Sequence, residues 1–255
     1  MGKKIIFTTE QKQEIIYKYL ELQNSAKQIG FEYNCSPQTI IRLLQNNNIN
    51  IKNNRKIQFN QYIFDEINTA EKAYWLGFIL ADGYHNETRG TLTIKLQYTD
   101  YNHLIKFANF IAYPIEKIKI NIHKITNNKL CSITINSRYL SNALIELNIR
   151  QRKSTKEKIA DIPYQYYKDY IRGIIDGDGH INHNRIDICN SIEVLSFVKE
   201  YLNDTCSTNI GKICDHDHTY RIFICKNRLK AIKHLYYNNC VYLDRKYNYI
   251  LNTYY

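Results

Sequence analysis

The chain has 255 residues, 44% hydrophobic and 13% aromatic, and carries a formal charge of +11 from 35 Lys and Arg against 24 Asp and Glu. This apolar content excludes a disordered basic tail, no apolar run is long enough to span a membrane, and the length admits one large domain or two smaller ones. The positive excess calls for a partner of opposite sign, usually nucleic acid, although an AT-rich genome would also inflate Lys, Asn, Ile and Tyr.

The seven cysteines are odd in number and scattered, so they read as thiols in a reducing, intracellular compartment. The first residues show no signal-peptide pattern. Cys206, Cys214, His216 and His218 can be drawn as a zinc site, but their spacing fits no compact ligand pattern.

Residues 8–46 read as three short helices. Thr8 with Gln11, and Ser25 with Gln28, are capping boxes, while Ser36 followed by Pro37 opens a third helix over 38–44. Helix, tight turn, second helix resembles a helix-turn-helix DNA-binding unit, which nominates Gln38, Thr39 and Arg42 for base or phosphate contact. The alternative is a structural cap on the main domain. A polar Asn- and Lys-rich stretch follows as a linker. The expected organisation is residues 1–48 helix-turn-helix, 49–67 basic linker, 68–158 first repeat and 159–255 second repeat.

The repeats announce themselves in two nine-residue segments, Trp75-Leu-Gly-Phe-Ile-Leu-Ala-Asp-Gly83 and Ile171-Arg-Gly-Ile-Ile-Asp-Gly-Asp-Gly179, 96 positions apart. Each is a helical run with small residues four apart (Gly77 and Ala81, Gly173 and Gly177), closed by an acid and a glycine. Two such helices can lie backbone to backbone, bringing Asp82 and Asp178 to one point. Asn68 with Glu71 is the expected cap of the first. Each motif leads into an α-β-β-α-β-β-α succession, with strands at 92–97, 118–123 and 132–136 in the first copy and 185–189, 210–214 and 220–224 in the second. Period-two alternation places Ile, Leu and Phe on one sheet face and polar residues on the other. The fold class is therefore α+β: two pseudo-symmetric repeats forming a saddle wide enough for a duplex, plus a small all-α N-terminal unit.

The chemistry follows from charge. A carboxylate at a helix C-terminus is disfavoured by roughly several tenths of a kcal/mol, and a second beside it adds repulsion. An offsetting cation is needed, and oxygen-only ligands favour Mg²⁺ over Zn²⁺. One Asp-Gly alone is a common helix stop; two with matching flanks are not. The outward strand faces nominate Lys95, Gln97, Lys119, Asn121, Thr134, Arg185, Asp187, Lys212 and Arg221 for DNA contact.

Both motifs, their lead-ins Ala73-Tyr-Trp-Leu-Gly77 and Tyr170-Ile-Arg-Gly173, and the later segment Tyr242-Leu-Asp-Arg-Lys-Tyr247 resemble the LAGLIDADG homing endonucleases, in a single-chain, two-repeat form, over about residues 68–255. The resemblance implies Mg²⁺-dependent hydrolysis (Mn²⁺ as a substitute) of one phosphodiester per strand in a long, non-palindromic site on double-stranded DNA. It implies a monomer, with Asp82 and Asp178 as metal ligands and with Lys153 and Lys246 as basic residues beside the two centres. One departure is visible: Leu80 in the first motif stands where the second has Asp176. The competing expectation on the same fold is a non-cleaving DNA-binding regulator or an intron RNA maturase. An intein is disfavoured by the chain's ends, which lack a nucleophile and a His-Asn pair.

Overall fold

The computed structural model describes residues 5–22, 24–49, 51, 57–123, 126–151 and 158–254. The chain divides into two compact units, residues 1–57 and 58–255.

The first unit is three helices: α1 (Thr9–Leu20), α2 (Ala26–Glu32) and α3 (Pro37–Asn46). Both capping boxes form, each side chain satisfying a backbone N–H that has no partner within its helix. Ser36 caps α3 with Pro37 at its first position, where the missing N–H costs nothing. Ile15, Ile29, Ile40 and Leu44 are fully buried at the centre, and Ile49 and Ile51 pack against them. Ile49 and Ile51 therefore add to this unit's core.

The second unit holds two copies of one plan. In the first, α4 (Ala70–Asp82) feeds β1 (Gly83–Asn86) and β2 (Thr91–Gln97), then α5 (Tyr101–Phe110), β3 (Lys119–Ile122), β4 (Lys129–Asn136) and α6 (Arg138–Glu146). In the second, α7 (Tyr167–Asp178) feeds β5 (Gly179–Ile181) and β6 (Ile186–Asn190), then α8 (Ile192–Cys206), β7 (Cys214–His216), β8 (Thr219–Ile224) and α9 (Arg228–Leu235). Both sheets are antiparallel, in the orders β1-β2-β4-β3 and β5-β6-β8-β7. Alternation works as the pattern requires: Leu92, Ile94, Leu96, Ile133 and Ile135 are buried in the first sheet, and Ile186, Ile188, Ile222 and Ile224 in the second. The helices of each repeat cover that apolar face.

Three local expectations change. The cap of α4 is Thr69, whose hydroxyl accepts from the Lys72 N–H, while Asn68 donates instead to Glu66. The strand expected at 210–214 begins only at Cys214. The Asn203 side chain binds Thr208 and the Ile210 N–H, and Ile210 is buried in the connection rather than in a ladder. Finally, the second repeat does not end at α9: a further helix, α10 (Asp244–Tyr254), completes the unit.

Candidate functional site

The centre of the second unit is the crossing of α4 and α7. A Cβ on Gly77 would collide with the Tyr170 carbonyl oxygen, and one on Gly173 with the Tyr74 carbonyl oxygen. Only glycine permits this approach. One turn later a Cβ on Gly177 would overlap that of Ala81 and stand 3.4 Å from the Asp82 nitrogen. The helices therefore stay in backbone contact into their last turns, so Asp82 and Asp178 terminate them side by side. Asp82 is exposed and Asp178 half-buried. Asp178 accepts a 2.6 Å hydrogen bond from Asn190 Nδ2.

Beneath the acids lies a buried polar network. Lys246, on α10, is 6% exposed, and its ammonium donates to the backbone carbonyls of Ile175, Asp176 and Gly179. It closes the C-terminus of α7, where orphan carbonyls and the negative dipole end both favour a cation. Burial lowers its pKa to about 8, against the opposing pull of Asp176, Asp82 and Asp178. Asp176 accepts from Tyr74 Oη (2.8 Å), Tyr236 Oη (2.7 Å) and the Leu243 N–H (2.8 Å). Burial pushes that carboxyl up, while Lys246 and the three donors pull it down. The Tyr74 and Tyr236 hydroxyls are pushed well above their usual range by burial and then by Asp176. Tyr74 Oη also meets His103 Nε2 at 3.1 Å, and burial, followed by the Lys106 charge, lowers His103 to about 3. The segment carrying Lys246 is tied to the first repeat as well: Lys106 binds the Tyr242 carbonyl and Asp244, and Arg245 meets Asp100.

Lys246 is thus a helix cap whose three donors all face carbonyls. Lys153 lies outside the described residues. The donor set at the crossing is two carboxylates, and no group of three His, Cys, Asp or Glu able to hold a metal exists among the described residues. Cys206, Cys214, His216 and His218 are among the described residues and are not gathered into such a group. A carboxylate pair fits Mg²⁺, which characteristically keeps several waters and takes one or two carboxylates plus substrate phosphates.

On the first sheet, register places Lys95 beside Ser132 and Ser132 beside Lys119, and likewise Gln97, Leu130 and Asn121 in the next row. Thr134 pairs with Thr93 at 3.1 Å between hydroxyls. All five nominated residues share this outward face. On the second sheet, Asp187 pairs with Phe223 and Cys189 with Arg221. Arg185, just before β6, meets Asp187 at 2.7 Å and lies 4.7 Å from the Phe223 ring centre. Arg221 donates from Nε to Cys189 Sγ and pairs with His216. Lys212 is exposed but precedes β7. In the N-terminal unit, Gln38 and Arg42 are exposed on α3, and Thr39 is half-buried with its hydroxyl 2.9 Å from that of Ser36.

With this geometry in hand, comparisons place the fold. The homing endonuclease I-WcaI bound to its DNA recognition sequence superposes with a TM-score of 0.52 and 12% identity over 71% of this chain and 87% of that one. The chain shares the fold of that protein. Full-length DUF199/WhiA from Thermatoga maritima gives a TM-score of 0.49 and 16% identity over 76% of this chain and 72% of that one. An uncharacterized protein of Methanocaldococcus jannaschii is 24% identical over 188 residues, covering 69% of this chain. The chain spans 62% of that relative's length. No family model matches the chain.

Proposed function

We propose that this protein binds duplex DNA on the outward faces of its two sheets, and that Asp82 and Asp178 make it a metal-dependent endonuclease cutting one phosphodiester in each strand. The observation that carries this reading is the glycine-only crossing, which ends two helices on adjacent acids at the join of two polar sheet faces. Mg²⁺, or Mn²⁺ in its place, would be held by Asp82 and Asp178 and would stabilise charge developing on the phosphate and help a water ionise. The chain's own residues do the rest. The fixed crossing holds both carboxylates in position, and Lys246 steadies the turn that carries Asp178. Lys95 and Lys119 hold backbone phosphate, while Gln97, Asn121 and Arg221 read base edges. Because the two faces differ residue by residue, the site is not a palindrome. Both acids belong to one chain, so a monomer suffices. In the N-terminal unit, Gln38, Thr39 and Arg42 extend the contact as a helix-turn-helix does.

Binding without cutting is the second reading, as a DNA-binding regulator or an RNA-binding maturase. Two observations favour it: the described residues offer no third metal-ligating acid, and the Lys246 ammonium is turned to backbone carbonyls rather than outward.

One experiment separates the readings. Sequencing the DNA that flanks the gene, and an allele lacking it, supplies a candidate target for a plasmid. Cleavage of that plasmid in Mg²⁺, lost in Asp82→Asn and in Asp178→Asn while gel-shift binding survives, supports the nuclease. Tight binding with no cleavage supports the regulator, and preference for intron RNA over duplex DNA supports the maturase. Cleavage undiminished in both variants would falsify the assignment of the acids.

A further inference from the structure

We propose that Phe223 is a specificity-determining residue that reads the C5-methyl group of a thymine in the part of the duplex lying on the second sheet. The inference rests on the DNA-binding reading above, and its starting point is a phenylalanine on the unexpected face. Ile222 and Ile224 are fully buried, so alternation along β8 turns Phe223 to the polar side, whereas the sequence pattern puts Phe with Ile and Leu beneath the helices. There it is half-buried and pairs across the ladder with Asp187, whose partner on β5 is His180. Two guanidiniums lie against its ring, that of Arg185 at 4.7 Å from the ring centre and that of Arg221 at 5.9 Å.

The fold does not require an aromatic side chain at this place. Gly83 pairs with Ile94 and Gly179 with Ile188, so the two ladders correspond residue by residue. Thr93 and Thr134 then stand in the first sheet where Asp187 and Phe223 stand in the second. The first-sheet pair is closed by its two hydroxyls, 3.1 Å apart. The neighbouring row has changed as well: Ser132 lies between Lys95 and Lys119 in the first sheet, and Arg221 between Cys189 and Cys214 in the second. One face is a hydroxyl surface edged by lysines. The other is a ring flanked by two arginines.

A phenyl ring has no donor or acceptor, so it cannot read the hydrogen-bonding pattern of a base edge. The apolar group that the major groove offers is the thymine methyl, which a Phe side chain contacts well. Covering one such carbon is worth about fourfold in affinity. The flanking guanidiniums add to this, because they stack on an aromatic face while their N–H donors point outward in the guanidinium plane. Arg185 is fixed by Asp187 at 2.7 Å, and Arg221 by Cys189 and His216. Held in this way, Arg221 suits the O6 and N7 acceptors of a guanine beside that thymine.

The test uses the full chain in EDTA, so that binding is read without cleavage, and a randomised duplex pool as the probe. Phe223→Ser removes the ring, and Phe223→Gln is a second variant of similar reach, in case the first does not fold; circular dichroism checks both. Selection with the wild type should recover a thymine at one position where Phe223→Ser recovers any base and Phe223→Gln favours adenine, the other positions being unchanged. On the recovered duplex, replacing that thymine by uracil removes only the methyl group. This should weaken wild-type binding about fourfold and leave Phe223→Ser unaffected. A thymine preference intact in both variants would overturn the proposal. So would an equal loss on uracil in the wild type and Phe223→Ser, since the methyl would then be read elsewhere, or a uniform fall in affinity for every sequence, which would make Phe223 only a support for the arginines. Recovery of no preferred duplex by the wild type would overturn the DNA-binding reading and this inference together.

Discussion

The two repeats share a backbone plan yet secure the turns after their motif helices by different chemistry. After Asp82, the buried His85 bonds the Ile149 carbonyl at 2.8 Å and the Ser141 hydroxyl at 2.7 Å, tying β1 to the end of the first repeat. After Asp178, the equivalent strand position is the apolar Ile181, and the hold comes instead from Lys246, Asp176 and Asn190. What has stayed common is what backbone geometry demands, the glycines of the crossing. Side-chain networks around it have diverged, so the two acids meet in one place while standing in different surroundings.

The common part is the most sensitive. Gly173→Leu forces a side chain into the Tyr74 carbonyl, and overpacking of this kind costs about 3 kcal/mol or more. Gly77→Leu should do the same from the other helix. Gly211→Ala, at a glycine whose Cβ would meet nothing within 4 Å, should change little. Urea midpoints at constant slope measure all three. Equal midpoints for the Gly173 and Gly211 variants would remove the crossing from its central place.

The divergent part comes next. Lys246→Met leaves Asp176 without its cation and three carbonyls without their donor, a loss of about 3–5 kcal/mol by the usual penalty for breaking a buried pair. Adding Asp176→Leu, the residue of the first repeat, should recover part of it, because the uncompensated charge goes too. A double variant no more stable than Lys246→Met would mean that the two residues are not coupled.

Much of this was legible in the sequence, for reasons that can be stated. Small residues four apart predicted the close crossing because nothing else lets helix backbones touch, and period-two alternation predicted the sheet faces on which Lys95, Gln97, Lys119, Asn121 and Thr134 lie. Capping boxes are local and were readable for the same reason. The resemblance implied only that Lys246 stands beside a motif acid. Its three bonds to carbonyls of the α7 C-terminus depend on the three-dimensional path of α10. Asp176 was visible as a departure from Leu80, but its partners Tyr74 and Tyr236 are 102 and 60 residues away. Asn190 carried no signal until the ladder register aligned it with Leu96. The late start of β7 was hidden similarly, since the alternating 210–214 pattern competes with Asn203, which captures Ile210 from the preceding helix.

The first repeat's contribution to the network gives a pH prediction. His103 is faced by Tyr74, with Lys106 and Lys246 disfavouring its charged form. Its folded pKa of about 3 lies below the ordinary 6.5, so below pH 6.5 the unfolded chain takes up a proton that the folded chain refuses. Stability from this group is complete above pH 6.5 and declines as the pH falls toward 3, by about 2 kcal/mol between pH 7 and pH 5. His103→Gln keeps a polar partner for Tyr74 without titrating and should flatten that part of the profile. An unchanged slope in urea denaturation at pH 5 and pH 7 would assign the acid sensitivity elsewhere.

The smallest effect separates the two sheets by what their cations are free to do. On the second sheet Arg185 is engaged by Asp187, and Arg221 by Cys189 and His216, so both guanidiniums are held in fixed directions suited to reading a base edge. Lys95 and Lys119 lie two strands apart on the first sheet, separated by Ser132, and long lysine stems there suit the uneven line of a phosphate backbone. Lys95→Ala or Lys119→Ala should each lower the slope of log affinity against log salt by about 1 and weaken all duplex sequences alike. Arg221→Ala should instead cost about 1–3 kcal/mol on the preferred sequence and little on others. Fluorescence anisotropy over a range of salt, on preferred and scrambled duplexes, reads both quantities at once. If Arg221→Ala lowered the salt slope without narrowing the gap between the two duplexes, the second sheet would be a phosphate clamp like the first, and discrimination would have to arise in the shape of the DNA.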